Sequence, residues 1–271
     1  MHTGITISPL GGLANRMRAI LSARALAADA DVPLRVLWNT SSELGCAPQW
    51  LFNTRTWEFD WRTTSPLAHH WLWKPAGKAN LFLPALWQPL RFRHRLNGTE
   101  TASSLIDDAR QGIYITSGQT FYPYQPSDAQ RIFAPTPAIA AMVEQKLEPM
   151  ASHRKVGVHI RRTDNTESII NSPDFLFTSL IRKELESGSD TMIYLATDSE
   201  ATKQKLLGEF GNKIITSPHQ ACRSSRQGMM EAWAEMLTLS RMDIIIGSFY
   251  SSFSEMAAQI GSTPLRIASQ R

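Results

Sequence analysis

Cysteine is scarce in this chain: 271 residues include two, Cys46 and Cys222. Two thiols make neither a disulfide framework nor a metal-ligand spacing, and they suit a reducing compartment. Long apolar runs are missing too, because Pro, Lys or Arg breaks each stretch well short of a membrane span. The opening "MHTGITISPLGG" has no basic region and no apolar region of a secretion signal, so a cytoplasmic setting is expected. No Arg/Lys block of nucleic-acid-arm length occurs, and no nucleic-acid partner is expected. Internal repeats and low-complexity tracts are also absent. What remains is a globular composition, 42% hydrophobic and 19% charged, with a net charge of +4. That mild excess favours an anionic ligand such as a nucleotide.

The order of elements predicts an α/β fold with parallel sheets. "GITIS" (Gly4–Ser8) reads as a β-branched strand, followed by a Gly-rich turn and a helix with Leu13, Met17, Ile20 and Leu21 on one face. Pro33–Trp38 reads as a second strand, and a helix between two strands implies a parallel pair. From Asn39 to Gly112 the pattern is poor and holds many Pro, with seven of the eight Trp falling between Trp38 and Trp87. Gly112–Ser117 restores a strand and Thr136–Met150 reads as a helix. Strands are then expected at Val156–Ile160, Met192–Ala196, Lys213–Thr216, Ile244–Ile246 and Leu265–Ile267. Helices are expected at Asp174–Glu186, Ser199–Phe210, Ser225–Arg241 and Ser254–Ile260. The break at Pro149–Arg154 predicts two domains, 1–150 with an irregular Trp-rich insertion and 151–271.

Ligands of open parallel sheets bind beyond the carboxyl ends of strands, and three motifs fall there. "HIRRTD" sets His159, Arg161, Arg162 and Asp164 at the end of a strand. Neighbouring arginines on a strand point opposite ways, so one can clamp a phosphate while the other pairs with Asp164 or braces the loop. The plain reading of any single Arg–Asp pair is a structural ion pair. "IYLATDSEATKQKL" places Asp198 and Ser199 before a helix, where either can cap it or sit beside a ribose or phosphate. "EAWAEMLTLSRMDIIIGSFYSSFSEMAAQIG" runs a helix into a strand and a Ser-rich helix start. There Ser251 and Ser252 make an anion site or simple caps, and Glu235 faces the same strand ends. In the first half, "SPLGGLANRMRAIL" is not a GxGxxG fingerprint; Gly11 and Gly12 permit close approach of a ligand. Asn15 and Arg16 are expected on the first helical turn, pointing at the cleft, with a plain tight turn as the alternative reading.

Together these segments resemble the fucosyltransferase superfamily that uses GDP-fucose. "VGVHIRRTD", "IYLATD" and "LSRMDIIIGSFYSSFSEMA" are similar to three motifs of the α1,6 enzymes, and "GGLANRMRAI" resembles the N-terminal turn of the α1,2 group. The similarity covers about Gly11–Ile20 and Lys155–Ile260. It implies a GT-B-like fold of two facing Rossmann-like domains, the N-terminal one taking the acceptor and the C-terminal one the donor. It implies an inverting transfer of fucose from GDP-fucose to a glycan or glycoconjugate hydroxyl, with no cofactor and no required metal. Arg161 would hold the diphosphate, His159 would lie against the donor, and Arg162 would support the loop. Asp198 and Ser199 would line the nucleotide pocket, Glu235 would stand where the family contacts guanine, and Ser251 or Ser252 would touch phosphate. Gly12 and Asn15 complete the set of donor contacts. The α1,6 enzymes place a carboxylate a few residues beyond the Asp of the first motif. Here Glu167 comes two positions earlier, so Glu167 and Asp164 are both candidates for the catalytic base.

Two rival functions stay open: transfer of another GDP-sugar, and nucleotide-sugar binding without catalysis. The segment His69–Leu96, mixing Trp and Leu with Lys, Arg and His, reads as a filled irregular core, an acceptor-binding wall, or a peripheral contact with the inner membrane face.

Overall fold

A computed structural model describes residues 3–63, 88–97, 104–188, 190–219 and 221–270. The chain divides into two compact units, each built on a five-stranded parallel sheet. The first comprises residues 1–134 together with 223–226. Its elements are β1 (Ile5–Pro9), α1 (Leu13–Ala30), β2 (Leu34–Trp38), β3 (Asp60–Thr63), α2 (Gln88–Arg91), β4 (His94–Asn97), α3 (Leu105–Gln111), β5 (Ile113–Ser117) and α4 (Asp128–Ile132). The strand order is β3-β2-β1-β5-β4. β1 lies between β2 and β5, and every pair in the sheet is parallel. β1 and β5 are buried along their whole length. That explains their continuous apolar and β-branched character, since a strand covered on both faces has no polar side to show.

The second unit carries α5 (Pro137–Leu147), β6 (Arg154–Ile160), α6 (Thr166–Asn171), α7 (Asp174–Glu186), β7 (Thr191–Thr197), α8 (Glu200–Phe210), β8 (Ile214–Thr216), α9 (Arg226–Leu239), β9 (Ile244–Ser248), α10 (Ser252–Gly261) and β10 (Leu265–Ala268). Its strand order, β10-β9-β6-β7-β8, is that of one doubly wound half. Val156, Val158 and Ile160 of β6 pack with Ile193 and Leu195 of β7, Ile246 of β9, and Phe177 and Ile181 of α7. Burying an aliphatic or aromatic side chain of this kind contributes about 1.5–3 kcal/mol.

The units part at Ala134–Pro135 rather than at Pro149–Arg154, because α5 belongs with the second sheet. Lys146 of α5 reaches the buried Glu231 of α9, and Glu144 pairs with Arg241 at 3.3 Å. Residues 223–226 return to the first unit. Gly45 donates to the Arg223 carbonyl at 2.7 Å, and a Cβ at Gly45 would stand 2.1 Å from the Ser224 oxygen. Only a glycine admits that approach. The Arg226 guanidinium then sits 4.3 Å over the Trp50 ring.

Of the Trp-rich segment, residues 69–87 lie outside the described residues, and with them most of the wall or membrane-contact reading of 69–96. Of the earlier tryptophans, Trp38 fills core, Trp57 and Trp61 are half-buried, and Trp50 is exposed. Trp38 is fully buried, and Trp57 packs against Phe52, Phe59, Trp61 and Phe133.

Candidate functional site

Strand order reverses in the second unit between β6 and β9, and the side chains at their carboxyl ends are joined to one another. The Arg161 amide donates to Ser248 Oγ at 3.0 Å, and Ser248 Oγ donates to the His159 carbonyl at 3.3 Å. Ser251 Oγ lies 3.4 Å from His159 Nδ1. The imidazole is buried and stacks on Phe253, with ring centroids 4.6 Å apart. Burial first, then the charge of Arg161, pushes its pKa down to about 4, with Asp198 opposing. His159 is therefore neutral near pH 7.

The two arginines have different work. Arg161 pairs with Asp164, and its NH1 lies 2.8 Å from Asp198 Oδ2. Arg162 is committed to the loop. Its Nε donates to Asp174 Oδ1 and its NH2 to the Ser172 carbonyl, both at 2.8 Å, and its NH1 donates to the Arg161 carbonyl at 2.9 Å. Its guanidinium also lies 5.4 Å over the Phe177 ring. Asp198 clamps the same loop, accepting from the Arg162 amide at 2.7 Å and from the Thr163 hydroxyl at 2.7 Å. Ser199 caps α8 by accepting from the Thr202 amide at 3.2 Å, so the capping reading suffices for it.

At the start of α10 no side chain caps the helix. Ser251 is buried beside His159, and Ser252 is half-buried with no side-chain partner among the described residues. The first amides of a ten-residue helix are thus left free next to Arg161, a ready anion site. Glu167 stands in the first turn of α6, exposed, and accepts from Asn171 Nδ2 at 3.2 Å. The described contacts do not join it to His159 or Arg161. Glu235, on α9, is half-buried. Burial first, then the charge of Glu231, pushes its carboxyl up to about 8, with Lys146 and Lys203 opposing.

The sequence reading missed the residues that hold the 249–251 turn in place. Ser172 Oγ accepts from the Phe249 amide at 2.7 Å, Ser168 Oγ donates to the Phe249 carbonyl at 2.6 Å, and Asn165 Nδ2 donates to the Tyr250 carbonyl at 2.8 Å. The "SPD" at Ser172–Asp174, a helix-start signal, was the one trace of them.

In the first unit, the turn after β1 places Gly11 at φ 77°, where a Cβ would crowd the Asn15 amide at 2.8 Å. Gly12 is the N-cap of α1, and Asn15 Oδ1 accepts from Arg18 at 2.8 Å. Arg16 points inward, contrary to expectation. It is 1% exposed and donates to the Gly11 carbonyl at 2.8 Å, the Asn39 carbonyl, and Ser41 Oγ at 3.2 Å. Its guanidinium is a strut between two strand-end loops, lying 5.3 Å over Trp38, and desolvation lowers its pKa to about 10. Among the described residues no three His, Cys, Asp or Glu side chains gather as a metal group.

No protein-family model matches the chain, and no curated protein matches it. Solved structures do. A mutant of FUT1 from Arabidopsis thaliana in complex with GDP is 15% identical, with a TM-score of 0.65 over 98% of this chain and 70% of that one. The NodZ α1,6-fucosyltransferase soaked with GDP-fucose is 16% identical, with a TM-score of 0.64 over 100% of this chain and 98% of that one. POFUT1 in complex with GDP-fucose is 12% identical, with a TM-score of 0.56 over 98% and 97%.

The fold is that of the solved fucosyltransferases. The resemblance read in four short segments thus extends over both sheets. On this fucosyltransferase fold, Arg161, His159 and Ser251 are brought together, while Arg162, Asp198 and Ser199 brace and cap the loops around them.

Proposed function

We propose that the chain is an inverting glycosyltransferase that moves fucose from GDP-fucose to a hydroxyl of a glycan or glycoconjugate. The supporting observation is the switch point of the second unit, where Arg161 stands beside an uncapped helix start and the buried Ser251. That combination suits a diphosphate, because guanidinium, hydroxyl and helix amides all donate to anionic oxygen. The donor phosphates take the place of the exposed Asp164 on Arg161, while Asp198 keeps the loop in shape through its several bonds.

The acceptor hydroxyl attacks C1 of the fucose as the bond from C1 to the diphosphate oxygen breaks. GDP leaves from the opposite face with the bonding electron pair, and configuration at C1 inverts. Arg161, Ser251 or Ser252, and the α10 amides take up the charge growing on the leaving group, without a required metal. Preorganised donors of this kind are each worth roughly 10²–10³ in rate. The acceptor proton passes to a carboxylate, Glu167 or Asp164. Neutral His159 lies against the donor, and the ionised form of Glu235 accepts from the N–H edge of guanine. The first unit serves the acceptor side.

A calorimetric titration with GDP, ADP and UDP on wild type and Arg161→Ala tests this. Selective GDP binding that falls by tenfold or more in Arg161→Ala is expected, by the size of a lost charge-assisted bond of about 1.5–3 kcal/mol. Equal binding of ADP, or no binding at all, would overturn the reading.

A further inference from the structure

Tyr250 is held where a tyrosine gains nothing from folding. Its φ is 53°, in the left-handed region that side chains other than glycine and asparagine avoid. The neighbouring bonds enforce that conformation: Ser172 and Ser168 grip Phe249 on both its amide and its carbonyl, and Asn165 grips the Tyr250 carbonyl. The ring returns little packing, since Tyr250 is 66% exposed and its one described ring neighbour, Phe249, lies at 6.4 Å. A glycine would accept this backbone without cost. Strain of this kind, maintained by its surroundings, concentrates at sites where it serves function.

The residue also stands at the rim of the proposed donor site. Tyr250 immediately precedes Ser251, which touches His159, and its carbonyl is held by Asn165, next in sequence to the Asp164 that pairs with Arg161. Beyond a diphosphate held on Arg161 and the α10 amides comes the sugar. An aromatic face takes the C–H face and methyl group of a 6-deoxyhexose and makes no hydrogen bond with the extra hydroxyl of a hexose.

Resting on the GDP-sugar reading of this site, we propose that Tyr250 is a specificity residue, its ring forming the wall that selects a 6-deoxyhexose over a hexose on the donor. The test needs no acceptor. GDP, GDP-fucose and GDP-L-galactose, which differs from GDP-fucose only by the hydroxyl at C6, are titrated calorimetrically into wild type, Tyr250→Gly and Tyr250→Phe, and melting temperatures are recorded.

Wild type is expected to prefer GDP-fucose to GDP-L-galactose. In Tyr250→Gly the preference should shrink by about tenfold or more, the scale of one lost apolar contact set in a specificity pocket. GDP affinity should stay within about twofold, and the melting temperature should be unchanged or higher, whereas a merely structural tyrosine would lower it. Tyr250→Phe should keep the preference. Unaltered GDP binding with an unaltered sugar preference in Tyr250→Gly overturns this proposal alone. A wild type that binds no GDP overturns the site reading and this proposal with it.

Discussion

Burial moves the titration of His159 and Glu235, both in the second unit, in opposite directions. His159, pushed down to about 4, binds fewer protons folded than unfolded. Its contribution to stability is present above its unfolded pKa of about 6.5 and is lost as pH falls toward 4. Glu235, pushed up to about 8, binds more protons folded than unfolded. Its contribution is present below about 4.5 and is lost as pH rises through 8. From pH 6.5 to 8 only Glu235 of this pair is titrating, so the melting temperature should fall across that window and the fall should flatten in Glu235→Gln. The same residue makes a binding prediction. A base edge that donates N–H groups requires the carboxylate, so GDP affinity should rise with pH up to about 8 and then level off, with one proton released on binding. Calorimetry in two buffers of different ionisation enthalpy reads that proton directly. A pH-independent affinity would remove Glu235 from the nucleotide site. The role of Arg16, by contrast, was hidden in the sequence. An arginine after a glycine turn reads as a ligand contact, and it is the Asn39 carbonyl, 23 residues away, that together with the nearby Gly11 carbonyl makes it a strut.

Among elements, legibility followed burial. β6, β7 and β9 are apolar because both faces are covered, and the sequence shows them directly. β3 (Asp-Trp-Arg-Thr) and β4 (His-Arg-Leu-Asn) lie at the edges of the first sheet, are largely exposed, and carry no apolar alternation to read. Helix α6 was missed for a related reason: six residues, with Ile169 and Ile170 turned to solvent, give no amphipathic period. Its start is nevertheless specified by Asn165, whose Oδ1 accepts from the Ser168 amide at 3.1 Å while its Nδ2 holds the Tyr250 carbonyl. One side chain thus fixes a helix end and a turn 85 residues away. Asn165→Ala should cost about 1–2 kcal/mol, the worth of a cap plus a lost hydrogen bond, measured by urea unfolding. An unchanged midpoint would show the turn to be held by Ser168 and Ser172 alone.

At the scale of the whole chain, the number of sheets and their parallel sense were legible from strand-helix alternation, but the dividing point was not. The Pro at 149 suggested a break, yet the deciding contact is Lys146 on Glu231, between residues 85 positions apart. A buried carboxylate that loses its cation is left uncompensated, at a cost of about 3–5 kcal/mol. A fragment beginning at 135 should therefore be more stable to heat and protease than one beginning at 151. Equal resistance of the two fragments would mean that α5 adds nothing to the second unit.

The excursion of residues 223–226 onto the first unit has a consequence for synthesis. The main segment of the first unit is complete in sequence at 134, yet the strip that lies against Gly45 and Trp50 leaves the ribosome 92 residues later, 226 less 134. At roughly 5–20 residues per second that is a delay of about 5–20 s. For that interval the nascent first half waits with Gly45 and Trp50 uncovered, finished in its strands but not in its surface.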